Sequence, residues 1–468
     1  MRSNSSISGL CMLLTTMVAI TIVPFNVSAA EGPCDIYEAA GTPCAAAYST
    51  VRALSSTYTG PLYQVRKQGG GTKDIGQTDD GFANAKEQDD FLGGSAGTIS
   101  KVYDQSGNGN DLTVAKKGNY QGTASQDCKE ANAKAQSLTV NGHKVYSLFT
   151  ANNANQGYRA NQEGYSGYPA SVQAAKGMPI NNEPQGIYAL EDGSRPGVGC
   201  CCCFDFGNAS LNNAAGPTGA MNTLFFGIGY WGKGSGNGPW FLNDMEAGVW
   251  AGGSGASNVR NNNLPSTNFN YALGITKTST DNNVGQYAIR VASSTLADNA
   301  QAPHLVTAYD GRAPTTWKMH GGIVLGVGGD NSNSSSGTFY EGCITAGRPS
   351  DATDDLIMKN ILDAGYGRAT TKVLEPYGRE ATASLFSAGY HPSTSSAIIN
   401  YTMEHSRRVS MNIYNSQGKQ IAEILNGTIP AGRHKAVWDA SQAPAGVYVC
   451  RIAISGQQGW TEKIIVGK

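Results

Sequence analysis

The feature that most constrains this chain is the punctuation between residues 32 and about 345. Short runs of β-forming residues recur there, divided by clusters of Gly, Asn, Ser and Pro. Examples are the runs at 98–103, 144–149, 223–228, 286–291, 323–327 and 338–344. Runs of this length, evenly spaced between turn residues, suit a sandwich or barrel and leave little room for a helical bundle. Composition agrees. Gly supplies 60 of 468 residues and charged side chains only 15%, against about 7% and about 25% in an average soluble protein. The net charge of −1 leaves no electrostatic footprint for nucleic acid. A turn-rich β protein handling a neutral polar ligand is the class this leaves.

At 468 residues the chain is long for one core, and two or more domains are expected. Residues 1–30 read as a signal peptide: Arg2 is the positive start, 10–23 is mostly apolar, and 27–30 is a small-residue cleavage site. Thr15, Thr16, Thr21 and Pro24 interrupt the apolar run, which argues against a membrane span. One helix is predicted late in the chain. Ser350 or Asp351 caps it, Leu356, Ile357, Ile361 and Leu362 form its stripe, and Gly365 ends it. Residues 31–365 are read as one domain, 366–384 as a linker, and 385–468 as a small immunoglobulin-like sandwich of about seven strands.

Export would make the cysteines disulfide candidates. Ten are present, and losing Cys11 with the signal leaves 10 − 1 = 9. Cys34 and Cys44 flank a turn and could close a short loop. Cys200 to Cys203 are contiguous. Adjacent cysteines lie ~3.8 Å apart at Cα across a trans peptide, short of the usual ~4.4–6.8 Å, so a strained bridge and free thiols both remain open. Six scattered histidines do not suggest a metal centre, and no cofactor is expected.

The chemistry rests on carboxylates. In the sequence GPWFLNDME at 238–246 a Gly-Pro turn enters a strand. Alternation puts Trp240, Leu242, Asp244 and Glu246 on one face and Phe241, Asn243 and Met245 on the other. An indole beside two acids suits a sugar; an exposed strand end with solvated acids is the plainer alternative. Asp330 follows the apolar run 323–327 and so stands at a strand end, although an Asx turn would also want it. Glu341 is a competing acid. The sequence GGSAG at 93–97 matches the G-x-S-x-G elbow, which requires a strand before and a helix after it.

Five blocks together resemble the catalytic domain of the family 54 glycoside hydrolases, the α-L-arabinofuranosidase B type. They are GPCDIYE at 32–38 through GPLYQVR at 60–66, YDQSGNGNDL at 103–112, CCFDFGN at 202–208, GPWFLNDME at 238–246, and GVGGDNSN at 326–333 with GTFYEG at 337–342. The resemblance implies an all-β, jelly-roll-like sandwich and a retaining exo-hydrolase acting on arabinan or arabinoxylan side chains. It implies Glu246 as nucleophile, Asp330 as acid/base, and Asp244, Gly329, Trp231 and the pair Cys202–Cys203 as sugar contacts. Cys34–Cys44 is implied as a structural disulfide. Ala247 departs from the family's usual Asn, and Cys200 and Cys201 are additional. A sugar-binding module with catalysis lost is the rival reading.

The last ~80 residues resemble the C-terminal sorting domains of type IX secretion, on IYNSQG at 413–418, AGRH at 431–434, VWD at 437–439 and AGVY at 445–448. That implies a secreted or cell-surface protein of a Gram-negative bacterium, handled by a secretion machinery.

Overall fold

The computed structural model describes residues 31–467, except 120–124, 161–172, 196–201, 229–231, 247, 254–258, 280–285, 294–304, 368–385, 392–394, 404–406, 430–431 and 455–459. The signal segment, Trp231, Ala247, Cys200 and Cys201 therefore lie outside the described residues. The chain divides into two compact units, one reaching Thr370 and one starting at Thr371.

The first unit is built on two antiparallel sheets. One has seven strands and runs, edge to edge, through Cys44–Ser49, Gly337–Ala346, Gln185–Glu191, Ala272–Thr278, Gln286–Ser293 and Leu305–Arg312, with Leu148–Thr150 added beside Gly337–Ala346. The other has eleven and includes Val249–Trp250, Trp240–Asp244, Asn222–Gly227, Asp205–Ala209, Gly322–Leu325 and Tyr158–Ala160 in that spatial order. The strands follow the sequence punctuation closely. The run at 144–149 is the exception: it splits at Ser147 into His143–Tyr146 and Leu148–Thr150, which join different sheets.

Alternation decides which face each sheet buries. Phe206 packs on Phe339 with ring centroids 5.1 Å apart, and Phe226 stacks on Phe241 at 4.3 Å. Gly274 of the seven-stranded sheet has no room for a Cβ, which would meet Phe241 Cδ1 at 2.3 Å. Phe206 and Phe241 thus point between the sheets. Asp205, Leu242 and Asp244, one position out of phase, point the other way.

The late helix forms as Asp351–Asp363, with Ser350 Oγ accepting from Thr353 N at 3.1 Å. Ile357 and Ile361 are buried as predicted, but Leu356 is 53% exposed, because the buried stripe is narrower than the apolar one. Two helices went unpredicted, Pro33–Ala39 and Ala85–Leu92. Both are too short to show a period, and the first begins with Pro33 in its first turn, where the missing N–H costs nothing. Tyr366, the first linker residue by sequence, is wholly buried in this unit and donates to Glu341 Oε2 at 2.8 Å.

The second unit has a three-stranded sheet, Phe386–His391, Ser396–Met403 and Gly432–Asp439, and a four-stranded one ordered Gln420–Ile429, Arg407–Asn415, Gly446–Ile454, Trp460–Val466. Val409, Met411 and Ile413 alternate inward and pack with Ile399 and Trp438. This is a small β-sandwich of seven strands. Among the described residues no helix is long and apolar enough to cross a membrane.

Candidate active site

The strand Trp240–Asp244 ends at Asp244. Glu246 is not its continuation, as alternation alone suggested. It sits in the following bend at φ 81°, a conformation rare for a residue with a side chain and recurrent at functional sites. Its N–H donates to Asp244 Oδ1 at 2.8 Å, which fixes the bend.

Asp244 is 4% exposed. Its Oδ2 lies 3.5 Å from Cys203 Sγ and 3.8 Å from Cys202 Sγ. Those two cysteines are disulfide-bonded to each other across a cis peptide with Cα atoms 2.9 Å apart, not the trans spacing assumed from sequence. Cys34–Cys44 is also a disulfide.

Asp330 arrives on the loop after Gly322–Leu325. Its Oδ1 accepts from Ser332 N at 2.9 Å, so it is an Asx-turn residue as well as a member of this cluster. Ser332 Oγ in turn reaches Cys203 Sγ at 3.6 Å. Gly329 brings the loop against Glu246: a Cβ there would lie 1.9 Å from Glu246 Oε2. Gly118 does the same behind Asp330, whose carbonyl oxygen would be 1.9 Å from an added Cβ. Close backbone approach is what glycine permits and no other residue does.

Burial dominates the electrostatics. It pushes the Glu246 carboxyl up to about 9, with the charges of Asp244 and Asp330 adding and Arg159 opposing. Burial likewise raises Asp244 to about 6, against the hydrogen bond from Glu246 N–H. Glu246 Oε2 is buried without a hydrogen-bond partner. The arrangement can therefore hold a proton among its carboxyls and present the rest as acceptors.

Two residues that sequence reasoning missed belong here. Arg159 is fully buried and donates through Nη1 to Gly329 O at 2.9 Å and Gly328 O at 3.4 Å, and through Nη2 to Ser210 O. It pins the loop bearing Asp330, and its own pKa falls to about 10 because burial outweighs Glu246 and Asp330. No local motif marks it. Asp205, two residues after Cys203, is also fully buried; an acid between Phe204 and Phe206 in a strand was the available signal.

Two alternatives fall away. Glu341 is wholly buried but paired with Arg52 at 2.7 Å and bonded by Tyr188 and Tyr366, so it is a structural acid. The G-x-S-x-G match lies after the helix Ala85–Leu92 and before the strand Gly97–Val102, the reverse of the elbow order.

Comparison with known proteins gives the same direction. Residues 33–367 match the family model described as α-L-arabinofuranosidase B, catalytic, and 391–467 match that of the secretion system C-terminal sorting domain. A probable α-L-arabinofuranosidase B of Aspergillus fumigatus is 39% identical over 364 residues, covering 76% of this chain and 66% of that protein. The α-L-arabinofuranosidase B of Aspergillus oryzae is 38% identical over 394 residues, covering 82% and 72%. The chain thus spans about two thirds of the length of the first and somewhat more of the second. Among solved structures, a Glu-to-Gln mutant of a GH54 α-L-arabinofuranosidase soaked with 4-nitrophenyl α-L-arabinofuranoside is 33% identical with a TM-score of 0.65, covering 80% of this chain and 73% of that one. An arabinofuranosidase complexed with arabinofuranosyl-α-1,2-xylobiose is 31% identical with a TM-score of 0.62, covering 86% and 74%. With the matched model spanning both sheets and every carboxylate of the cluster, the chain belongs to the α-L-arabinofuranosidase B family of glycoside hydrolases and carries a secretion-system sorting domain behind the catalytic one.

Proposed function

We propose that the protein is a retaining, exo-acting α-L-arabinofuranosidase that removes terminal arabinofuranosyl groups from arabinan or arabinoxylan. The observation that carries this is the packing of the Glu246 carboxylate directly on the backbone of Gly329, one residue before Asp330. Two carboxyls brought together from separate elements are what a double displacement needs, and ~5–5.5 Å between them is the retaining spacing. Glu246 attacks the anomeric carbon. Asp330 protonates the leaving oxygen and then takes a proton from water. Asp244 accepts hydrogen bonds from the sugar hydroxyls, and the Cys202–Cys203 disulfide walls the site beside it, with Gly329 and Trp231 as further contacts. One proton must reside on the pair before the bond breaks, and it must be on Asp330 at that moment. Burial raises the Glu246 carboxyl to about 9 in the empty site, so Glu246 must release its proton before it can attack.

Residues 31–365 form the catalytic domain in this reading, 366–384 the linker and 385–468 the sorting domain. The tail carries the enzyme to the outside or surface of a Gram-negative cell through type IX secretion. Release of arabinose from 4-nitrophenyl α-L-arabinofuranoside, followed by NMR for the anomer first formed, tests the assignment. The α-anomer supports it. A β-anomer overturns the retaining mechanism, and no release returns the protein to a non-catalytic sugar-binding module.

A further inference from the structure

Asp205 is an acid of the cluster that the proposed chemistry leaves idle. Neither of its carboxyl oxygens is exposed, and no donor among the described residues reaches them. A buried carboxylate left so is costly. A carboxylic acid has another solution, which is to keep its proton and donate it.

The register supplies the acceptor. Asp205 pairs with Phe225, and Phe225 with Leu242, so the three share a face. Asp244 lies two residues beyond Leu242 on that face. Asp205 lowers the Asp244 pKa as a hydrogen-bonding neighbour does, and two carboxyls can bond only if one is protonated. Asp244 Oδ1 in turn accepts from Glu246 N–H.

We propose that Asp205 is a positioning residue, a carboxyl that stays protonated in the working enzyme and, by donating to Asp244, fixes the acceptor of the sugar hydroxyls and the bend that carries Glu246. Its surroundings agree. Burial raises its pKa well above the usual range, and the neighbouring carboxyls of Asp244, Glu246, Glu191 and Asp330 push it the same way. Arg159, the cation of the site, acts on Glu246 and Asp330. Asp244 is itself faced by Asp330, which raises it, and by the Asp205 bond, which lowers it. The inference rests on the reading of Asp244 as a substrate ligand.

The test compares Asp205→Asn, which keeps a donor of the same shape, with Asp205→Leu, which does not. Removing a donor from ionised Asp244 raises its pKa, so in Asp205→Leu the acidic limb of kcat/KM on an aryl arabinoside should move to higher pH. The value itself should fall about 10- to 100-fold, the range for one hydrogen bond to a charged group, mostly through KM. In Asp205→Asn the limb should stay in place and the loss be under about tenfold. Equal limb shifts in both variants, or none in Asp205→Leu, would overturn the proposal. An infrared difference spectrum of wild type against Asp205→Asn near neutral pH gives a second readout should the Leu variant not fold. Loss of one protonated-carboxyl band supports the assignment, and its absence refutes it. That spectrum needs no turnover, so it tests Asp205 even if the arabinofuranosidase reading itself fails.

Discussion

Replacing Glu246 by Gln should remove activity and make the protein more stable. The folded carboxyl sits at about 9 against an ordinary 4.5. A raised carboxyl pKa contributes its full stability only below the unfolded value, and that contribution drains away as pH rises toward the folded value. At pH 7 the unfolded group has ionised and the folded one has not. The gap is 7 − 4.5 = 2.5 units, or about 3 kcal/mol at ~1.36 kcal/mol per unit. Gln keeps the shape and has no proton to lose, so the variant should recover about that much at pH 7 and almost nothing at pH 4. The matched domain has 367 − 33 + 1 = 335 residues. At ~2.1 cal/mol/K per residue its unfolding entropy is about 0.7 kcal/mol/K, which makes the gain about 4 °C in Tm. Differential scanning calorimetry at pH 4, 5.5 and 7 measures it, beside an aryl arabinoside assay. A variant no more stable than wild type at pH 7, with the same slope against pH, would refute the buried-proton argument. Turnover by the variant would refute the nucleophile.

Asp330→Asn should cost less on 4-nitrophenyl α-L-arabinofuranoside than on arabinan, where general acid catalysis is worth about 10²–10⁴-fold; equal losses on both would remove Asp330 from that role. With azide present, Asp330→Gly should yield the α-azide, since two inversions restore the starting configuration, and NMR of a β-azide would contradict Glu246 as the first nucleophile. Replacing Cys202 and Cys203 together by Ala should raise KM more than it lowers Tm, because the disulfide adjoins Asp244; a large Tm drop with unchanged KM is the opposing result. A chain ending after Gly367 should keep full aryl arabinosidase activity, whereas Tyr366→Ala should cost about 3–5 kcal/mol by cavity formation, read by urea denaturation.

The strands were legible because Gly and Asn turns bracket them, and a period of two needs only five or six residues to show. The capped helix Asp351–Asp363 was legible for the same kind of local reason. The short helix Pro33–Ala39 was not, since its hold on the fold comes from burial of Cys34, Ile36 and Tyr37 and not from a repeat. Asp244 could be read from alternation, but the turn that swings Glu246 out of the strand could not, because a positive φ at a glutamate has no sequence signal. Arg159 shows the limit most plainly. Its role is to bind carbonyls some 170 residues away, and nothing near it in the chain records that.

Gly329 has a genetic consequence. Its missing Cβ leaves the space that Glu246 Oε2 occupies, with 1.9 Å available to any added carbon. Every missense change of a glycine codon introduces that carbon, whatever the rest of the side chain. Position 329 therefore has no conservative replacement and no stepwise route between tolerated residues. In a laboratory evolution campaign toward new sugars, a library that randomises codon 329 spends all but its glycine members on enzymes whose attacking carboxylate has been pushed aside.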